Sequence, residues 1–504
     1  MAETLVPDAG DLARRLAAAS PPDLRAAVRR RGAVTAVADG VAHVVGLDRV
    51  GSEDLVAFDS GALGMAYELE TGRTAVVLLD ADVPVRAGDG VRPVGRGPSV
   101  AAGPGLLGRV VDPLGRPLDG GPRPLTAESL PLFRDAPTLS QRAPVTRPLL
   151  TGVMVIDAAI PIGRGQRQLI LGDRNVGKTS LALDIIAAQR RGDVSCVYVL
   201  VGQPMSRLLG VIESLRDAGA LANTVIVGAD AAQAPGLQYL APYAGASIAE
   251  SLAARGWDTL IVYDDLTKHA DAYRQLALLL GRAPGREAFP GDIFHIHAQL
   301  LERATARSAA SGGGSVTAFP LIETTDGDIS AYIPTNLISI TDGQLYFDTV
   351  RFERNQRPAI DIGRSVSRVG GAAQSAPMRT AARTLRIAMS RFETLEALTQ
   401  VGLDVDPATR AAVERGVLLR ELLRQPRFTP RPVARQILAL TAATAGWFDG
   451  LGAGSVSDAA WSALAGLAPD LSDVVEALDA GTEPPAGWPD RLHDLLVRHL
   501  GGTP

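Results

Sequence analysis

The chain of 504 residues is long enough for about three domains, because globular domains usually contain roughly 100–200 residues. Its net charge of −5 offers no broad positive surface for nucleic acid or anionic lipid, and its single cysteine, Cys196, excludes an intrachain disulfide. No apolar run reaches the roughly 18 residues of a membrane-spanning helix, and the N-terminus lacks the pattern of a signal peptide. These features predict a cytoplasmic protein that meets a membrane only through partners.

Two segments precede the central part of the chain. Residues 1–32 are predicted to form a short helical segment, and residues 33–95 change to a pattern of short strands. Asp39 and Gly40 separate two apolar runs, which is a strong signal for a β-hairpin, and similar turns follow. Short strands at this spacing predict a small closed β-barrel.

The central segment, residues 96–377, begins with a Pro- and Gly-rich connection and then alternates strand and helix patterns. This alternation predicts a mostly parallel sheet with helices on both faces, and it places functional loops at the carboxyl ends of the strands. The predicted strands are Gln168–Leu171, Cys196–Val201, Thr224–Val227, Thr259–Tyr263, Val316–Ile322 and Ile338–Thr341. Residues 378–504 show helical periodicity, which predicts a C-terminal helical domain.

The strongest motif is a phosphate-binding loop between an apolar strand and a helix. Glycines let the backbone of such a loop approach closely, and its N–H groups point at the phosphates. Lys178 is expected to contact the outer phosphates and Thr179 to ligate Mg²⁺, and Lys178 is one of only two lysines among 50 basic residues. The motif predicts nucleotide binding by Gly172, Asp173, Arg174, Asn175, Val176, Gly177, Lys178 and Thr179.

The strand pattern "DTLIVYDD" supplies the second half of such a site. Asp264 ends the strand and is expected to reach the metal ion, often through water, while Asp265 is a candidate helix cap. The alternative is that both aspartates are caps. Lys268 follows on the same segment, where a site residue and a solvated surface lysine are equally compatible with the pattern.

Cleavage of a nucleotide also requires a carboxylate that orients the attacking water. The neighbouring strand pattern ends at Gln203, whose neutral amide does not accept a proton as a carboxylate does. Pro204 constrains the backbone there, and Glu323 after "AFPLIE" is another candidate polarising group. The sequence therefore favours a site that holds nucleotide over one that cleaves it.

Two further features are interpreted as structural. His295 and His297 have the spacing of one face of a strand, but no third metal ligand clusters with them. Cys196 lies inside the apolar run "CVYVLVG" and is interpreted as a small buried hydrophobic residue.

Four long segments resemble the α subunit of the F-type ATP synthase, within a similarity that extends from Gly32 to about Gly450. They are "GRGQRQLILGDRNVGKT", "YDDLTKHADAYRQLALLLGRAPGREAFPGD", "SAYIPTNLISITDGQ" and "RPAIDIGRSVSRVGGAAQ". The resemblance implies a multidomain α/β fold with an N-terminal β-barrel, a RecA-like P-loop domain with a mostly parallel sheet and a C-terminal α-helical domain. It also implies a ring of three α and three β subunits.

The same resemblance implies a division of labour within the complex. The β subunits carry the catalytic sites, whereas the α sites hold Mg-ATP without turning it over. The further implied partners are the γ central stalk and the peripheral-stalk subunits of a rotary synthase that moves protons or sodium ions. The implied location is the cytoplasmic face of the cell membrane, with membrane contact only through the membrane-embedded sector.

Site residues transfer from the family one by one. Gln203 stands where β subunits carry the catalytic glutamate, so it replaces that residue. Arg368, in "SVSRVG", matches the α-subunit arginine that reaches the β site as an arginine finger. Arg357, Pro358 and Gln425 match positions that line the base pocket.

The chain also departs from the family pattern. Asn175 and Val176 replace the usual Gln-Thr of the loop, and Arg427 stands where a second base-pocket Gln is common. "GQPMSR" departs from the pattern of basic and polar residues usual after this Gln, and the N-terminal segment is short. These differences suggest a divergent or alternative synthase operon, and they leave the base contacts and the peripheral-stalk contact open.

Three other classes of protein share a related core. A hexameric RNA translocase needs aromatic residues that stack on RNA, but the barrel segment has only Phe58 and Tyr67. A secretion-type export ATPase and a catalytically active β-type subunit should both carry a glutamate at position 203, and "SVSRVG" also contradicts the β type. The α-subunit interpretation is therefore preferred.

Overall fold

A computed structural model describes most of the chain. The described residues are 31–47, 49–124, 126, 128–400, 406–449 and 456–499. The chain divides into two compact units between Arg96 and Gly97. The helical segment predicted for residues 1–32 falls outside the described residues except at its last two positions.

The first unit contains a closed barrel of six antiparallel strands. They are β1 (Gly32–Ala38), β2 (Val41–Val45), β3 (Leu55–Phe58), β4 (Leu63–Glu70), β5 (Arg73–Leu78) and β6 (Gly90–Pro93). Their order around the barrel is β1-β2-β5-β4-β3-β6. Asp39 and Gly40 turn the chain between β1 and β2 with φ of 50° and 87°, the backbone that a tight hairpin requires. The barrel predicted from the sequence is confirmed.

The second unit is built on a sheet of eight strands with a separate two-stranded ribbon. The strands of this unit are β7 (Ser99–Ala102), β8 (Val110–Val111), β9 (Glu128–Pro131), β10 (Leu169–Gly172), β11 (Val194–Gln203), β12 (Thr224–Asp230), β13 (Asp258–Asp264), β14 (Ser315–Glu323), β15 (Gly343–Phe347) and β16 (Val366–Ser367). The sheet order is β16-β15-β10-β14-β13-β11-β12-β8, and only β16 runs antiparallel to its neighbour. The predicted, mostly parallel sheet is therefore confirmed.

Helices alternate with these strands and then follow them. They are α1 (Met154–Ala159), α2 (Lys178–Ala188), α3 (Met205–Asp217), α4 (Pro235–Ala253), α5 (Leu266–Leu279), α6 (Ile293–Leu301), α7 (Tyr332–Ile340), α8 (Thr349–Glu353), α9 (Ala376–Ala382), α10 (Leu385–Gln400), α11 (Pro407–Leu423), α12 (Val433–Thr444), α13 (Val456–Leu467), α14 (Ser472–Asp479) and α15 (Trp488–His499). Within the described residues, no helix is both long enough and apolar enough to cross a membrane.

The central strands are buried along almost their whole length. In β11 only Gly202 and Gln203, the last two residues, are partly exposed. Nearly continuous apolar runs are typical of parallel strands that are covered on both faces. The polar side chains of these strands that line the cavity described below lie at carboxyl ends, and Cys196 inside β11 is buried as predicted.

One predicted strand is wrong. Ile338–Thr341 was expected to be a strand, but Ile338 to Ile340 end helix α7 and the strand β15 begins at Gly343. Ile333, Leu337 and Ile340 are buried at helical spacing. A short apolar run such as "LISI" does not distinguish a strand from one face of a helix, and the buried face of α7 decided the outcome.

The C-terminal part is helical, as predicted, from α9 to α15. Its apolar side chains join those of the parallel sheet in one core cluster, which includes Ile170, Val262, Leu385, Leu438 and Leu464. This shared core runs across position 377, so the boundary placed there stays a prediction.

Candidate functional site

The carboxyl edge of the sheet borders a cavity of about 800 Å³. Four neighbouring strands end at this edge, and the sheet-edge part of the lining includes residues 174–179 with Gln203, Asp264 and Glu323. The outer part of the lining, from loops further along the chain, consists of Arg357, Pro358, Gln425 and Arg427. The fold thus brings the predicted metal and base residues, and the predicted phosphate residues other than Gly172 and Asp173, to one cavity. This is the edge where parallel sheets commonly bind ligands.

The loop between β10 and α2 has the backbone that its sequence predicts. Asn175 and Gly177 adopt positive φ values of 62° and 100°. Glycine does so freely, and asparagine is among the few other residues that tolerate the left-handed region. The Val176 side chain is 2% exposed and packs into the apolar core, so it anchors the loop.

Lys178 is the cation inside this loop, and it is only 7% exposed. Its Nζ donates to the carbonyl oxygens of Gly172 and Asp173 at 2.6 and 2.5 Å. Burial lowers the pKa of this ammonium, while nearby carboxylates act in the opposite direction. An ammonium has three donors, so one remains for an anion in the cavity.

A hydroxyl and a carboxylate meet beside the lysine. Thr179 Oγ1 lies 2.8 Å from Asp264 Oδ2, and Tyr198 Oη donates to the same carboxylate oxygen at 2.5 Å. Asp264 ends β13 and is 4% exposed, as expected for a polar residue that closes a buried strand. Burial raises the pKa of Tyr198 well above its usual value, so this phenol stays a neutral donor. Hard oxygen ligands of this kind suit Mg²⁺, which commonly takes its remaining ligands from phosphates and water.

Gln203, at the end of β11, is hydrogen-bonded to a neighbouring carboxylate. Its Nε2 donates to Asp265 Oδ2 at 2.8 Å, while Asp265 Oδ1 accepts from the backbone N–H of Lys268 at 2.7 Å. Asp265 therefore caps α5, as the sequence suggested. Burial, reinforced by the adjacent Asp264, raises the pKa of Asp265 to about 7.

Three charged residues brace the loop. The Asp173 carboxylate accepts from Thr324 Oγ1 at 2.7 Å and from Thr349 Oγ1 at 3.0 Å, so its side chain serves the loop structure. Arg174 Nε donates to Glu323 Oε2 at 2.8 Å. Glu323, the other candidate polarising group, is consequently held in an ion pair at the end of β14.

The outer part of the lining is more exposed. The Arg357 guanidinium lies 5.0 Å from the centre of the Phe352 ring, and exposed Arg427 lies 4.9 Å from the ring of Phe428. Gln425 Nε2 donates to the carbonyl oxygens of Gly152 and Thr429 at 2.7 and 2.8 Å. The Gln425 side chain therefore fixes the backbone of the loops that shape this part of the cavity.

The residues at or near the cavity that were not predicted include Tyr198, Asp184 and Arg207. Asp184 lies on α2, accepts from the backbone N–H of Phe428 at 2.9 Å, and has a pKa raised by burial to about 6. A signal for it exists, because it interrupts the apolar run "SLALDIIAA". Tyr198 and Arg207 have no comparable local signal, since their contacts join residues far apart in sequence.

Arg368 lies elsewhere. It follows β16, is exposed, and is not among the residues that line the cavity. Its Nη2 makes only a 3.5 Å contact with the carbonyl oxygen of Ile338, and no carboxylate of the described residues pairs with it. The guanidinium is therefore available to a group outside this chain.

Lys268 is a cavity residue, which is one of the two alternatives for it, whereas the two histidines do not have the expected strand geometry. Lys268 is half-buried and lines the cavity, with Nζ 3.8 Å from Asp271 Oδ2. His295 and His297 do not have strand geometry, because both lie on helix α6. His297 is fully buried and its ring centre lies 5.5 Å from that of His269, whereas His295 is exposed.

Comparison with known protein families gives matches over two long segments. The model of the ATP synthase alpha/beta family, nucleotide-binding domain, matches residues 152–367. The model of the ATP synthase alpha/beta chain, C terminal domain, matches residues 374–496. The first of these segments contains the phosphate loop, Gln203 and Asp264, and it ends one residue before Arg368.

Individual relatives are similar over most of the chain. "ATP synthase subunit alpha 2" of Syntrophotalea carbinolica is 48% identical over 472 residues, which cover 94% of this chain and 90% of the relative. "ATP synthase subunit alpha" of Limosilactobacillus fermentum is 48% identical, covering 84% of this chain and 82% of the relative. "ATP synthase subunit alpha 2" of Polaromonas naphthalenivorans is 50% identical, covering 83% and 81%.

Proposed function

The chain belongs to the ATP synthase alpha/beta family, as a member of the alpha subunits, and from this premise we propose that it holds nucleotide without cleaving it. In this proposal it is the regulatory, non-catalytic subunit of a rotary F-type ATP synthase that translocates protons or sodium ions. The observation that carries the proposal is Gln203, a neutral amide bonded to Asp265 beside a complete phosphate loop.

Binding is assigned to the sheet-edge part of the cavity. Lys178 has one donor left for phosphate, and the loop and the start of α2 offer backbone N–H groups. Thr179 and Asp264 would hold Mg²⁺, and the fit is supported by their 2.8 Å contact and their oxygen donors. The bound metal would neutralise phosphate charge. Arg357, Pro358, Gln425 and Arg427 would surround the base.

The side chains at the ends of β11 and β14 support holding over cleavage. Gln203 cannot accept a proton from water as a carboxylate does, and its amide is used by Asp265. Glu323 is paired with Arg174. Neither group is therefore set to act as a general base, so we expect the isolated chain to have little or no ATPase activity.

Arg368 would act in a neighbour's site. An exposed guanidinium outside the chain's own cavity, without a carboxylate partner among the described residues, suits an arginine finger supplied in trans. The proposed recipient is the catalytic site of the adjacent β subunit in a ring of three α and three β subunits. The γ central stalk and peripheral-stalk subunits would complete the complex, peripheral on the cytoplasmic face of the cell membrane. The relatives named "alpha 2" support the suggestion of an alternative synthase operon.

The test combines binding and assembly. Equilibrium binding of Mg-ATP to the isolated chain should be detectable, while its steady-state ATPase activity stays near background. Addition of the β partner and γ should produce turnover. ATPase activity of the isolated chain comparable to that of the complex would overturn the proposal, and so would the absence of Mg-ATP binding.

A further inference from the structure

Arg207 is a site residue that the sequence did not indicate. It lies in the first turn of α3, where its backbone N–H donates to the carbonyl oxygen of Pro204 at 2.8 Å. Its side chain lines the cavity, and Nη2 donates to Thr179 Oγ1 at 2.9 Å. An arginine thus contacts the hydroxyl that also contacts Asp264, at the sheet-edge part of the cavity.

The guanidinium of Arg207 has no carboxylate partner among the described residues, unlike that of Arg174. Arg174 pairs with Glu323, and Lys178 is held by two carbonyl oxygens. In the part of the chain that the structure describes, no carboxylate lies within ion-pair distance of the Arg207 guanidinium. Four of its five N–H donors have no partner among those residues, so they are available to phosphate oxygens, for which the planar guanidinium is well shaped.

The position of Arg207 in its helix also favours an anion nearby. The first turn of a helix carries partial positive charge from free backbone N–H groups, so a cation there is unfavourable by itself. No acidic residue lies in the first turn of α3. A bound phosphate would offset both the guanidinium and the end of the helix.

Thr179 Oγ1 links Arg207 to the metal. Mg²⁺ binds oxygen at about 2.0–2.1 Å, so an ion on Thr179 Oγ1 would lie next to the guanidinium that now contacts this oxygen. Two cations at that separation repel each other strongly where water is scarce. Arg207 and the metal would therefore occupy this hydroxyl alternately.

We propose that Arg207 is a second phosphate-binding residue, which shares Thr179 with the divalent cation and retains ATP in this site when the metal is absent. The inference rests on the proposed function of the cavity as a nucleotide site. With the metal present, the guanidinium leaves Thr179. Without it, Arg207 supplies the positive charge that the outer phosphates require.

The test measures binding of radiolabelled ATP to the full chain by equilibrium dialysis, once with Mg²⁺ and once with EDTA. Arg207→Gln should weaken ATP binding about tenfold to a hundredfold in EDTA, the range expected for hydrogen bonds to a charged group. With Mg²⁺ the same variant should lose at most about threefold. Arg216→Gln is the matched control, because Arg216 is an exposed arginine on the same helix that does not line the cavity.

The outcomes separate the inference from the proposed function. Unchanged ATP binding by Arg207→Gln in EDTA, with normal Mg-ATP binding by the wild type, overturns the inference alone. Equal losses with and without Mg²⁺ overturn the sharing of Thr179. Failure of the wild type to bind ATP both with Mg²⁺ and with EDTA overturns the proposed function and the inference with it. Thermal melting of each variant checks that the fold is retained.

Discussion

Lys178 and Arg368 are two cations in one unit that are used in opposite ways. Lys178 is 7% exposed and held by two carbonyl oxygens of its own loop. Arg368 is exposed and makes a single 3.5 Å contact with a backbone oxygen. The difference supports the proposal that this chain binds nucleotide at its own sheet edge and contributes Arg368 to a neighbour's site.

Arg368→Ala should give the largest effect and the sharpest contrast. In the assembled complex, turnover should fall by about 10³–10⁵, the range reported for arginine fingers, because the phosphoryl charge loses its partner. Mg-ATP binding to the isolated chain should not change. Steady-state ATPase assays of the complex and equilibrium dialysis of the chain measure the two quantities.

Arg364→Ala is the control for that substitution. Arg364 is also exposed, but its guanidinium lies 4.8 Å from the centre of the Tyr346 ring of its own chain. It should leave turnover within about threefold of the wild type, since an exposed cation–π contact contributes only roughly 0.5–1 kcal/mol. Equal losses from both variants would mean that assembly, and not a finger, is affected.

Lys178→Gln tests the cation that serves the chain's own cavity. Loss of a charged donor to phosphate should weaken Mg-ATP binding to the isolated chain about tenfold to a hundredfold. Turnover of the complex should fall far less than with Arg368→Ala. A larger effect on turnover than on binding would place Lys178 in the catalytic chemistry and break the contrast.

Asp265→Asn tests whether burial of the ionised Asp265 carboxylate at the sheet edge lowers the free energy of unfolding. The pKa of Asp265, about 7, lies above that of an unfolded aspartate, so the folded state binds the proton more tightly. Its contribution to stability is therefore full below about pH 4 and is lost as pH rises towards 7. Asparagine also caps helices, and the Gln203 amide can turn to accept from it.

The measurement for this variant is urea unfolding from pH 5 to 8. The free energy of unfolding should fall with pH more steeply in the wild type than in Asp265→Asn. Over this pH range the difference has an upper limit of about 3 kcal/mol, at about 1.4 kcal/mol for each of the roughly two pH units between pH 5 and the pKa. Parallel pH profiles would show that Asp265 titrates normally.

Arg427→Gln should give the smallest effect. Arg427 is exposed at the outer part of the cavity, where solvent weakens its electrostatic interactions. Mg-ATP affinity should change by less than about fivefold, as dialysis of the isolated chain can show. A loss of affinity comparable to that of Lys178→Gln would show that the outer part of the lining contributes as much to Mg-ATP binding as the sheet-edge part.

The sheet edge could be predicted largely from the sequence because its determinants are local. Buried parallel strands appear as apolar runs, and the polar residue after each run lies at the carboxyl edge, as Gln203 and Asp264 do. The phosphate-binding loop could also be predicted, because its glycines and Lys178 form a local motif. The barrel followed from regular turns such as that at Asp39 and Gly40.

What the sequence did not reveal depends on contacts between distant residues. Arg207 reaches Thr179 across 28 positions, and Tyr198 reaches Asp264 across 66. Neither residue type nor periodicity encodes such a meeting. The same limit explains α7, where only packing against the sheet distinguishes one face of a helix from a strand.

The fate of ATP bound to the isolated chain shows whether the site that contains Gln203 holds nucleotide without cleaving it. The chain, in excess over γ-labelled Mg-ATP, is incubated, quenched at increasing times and assayed for released phosphate. Bound ATP should remain intact for many times the turnover time of the assembled complex. Conversion to ADP at a rate close to that of the complex would contradict it, because the site containing Gln203 would then cleave what it holds.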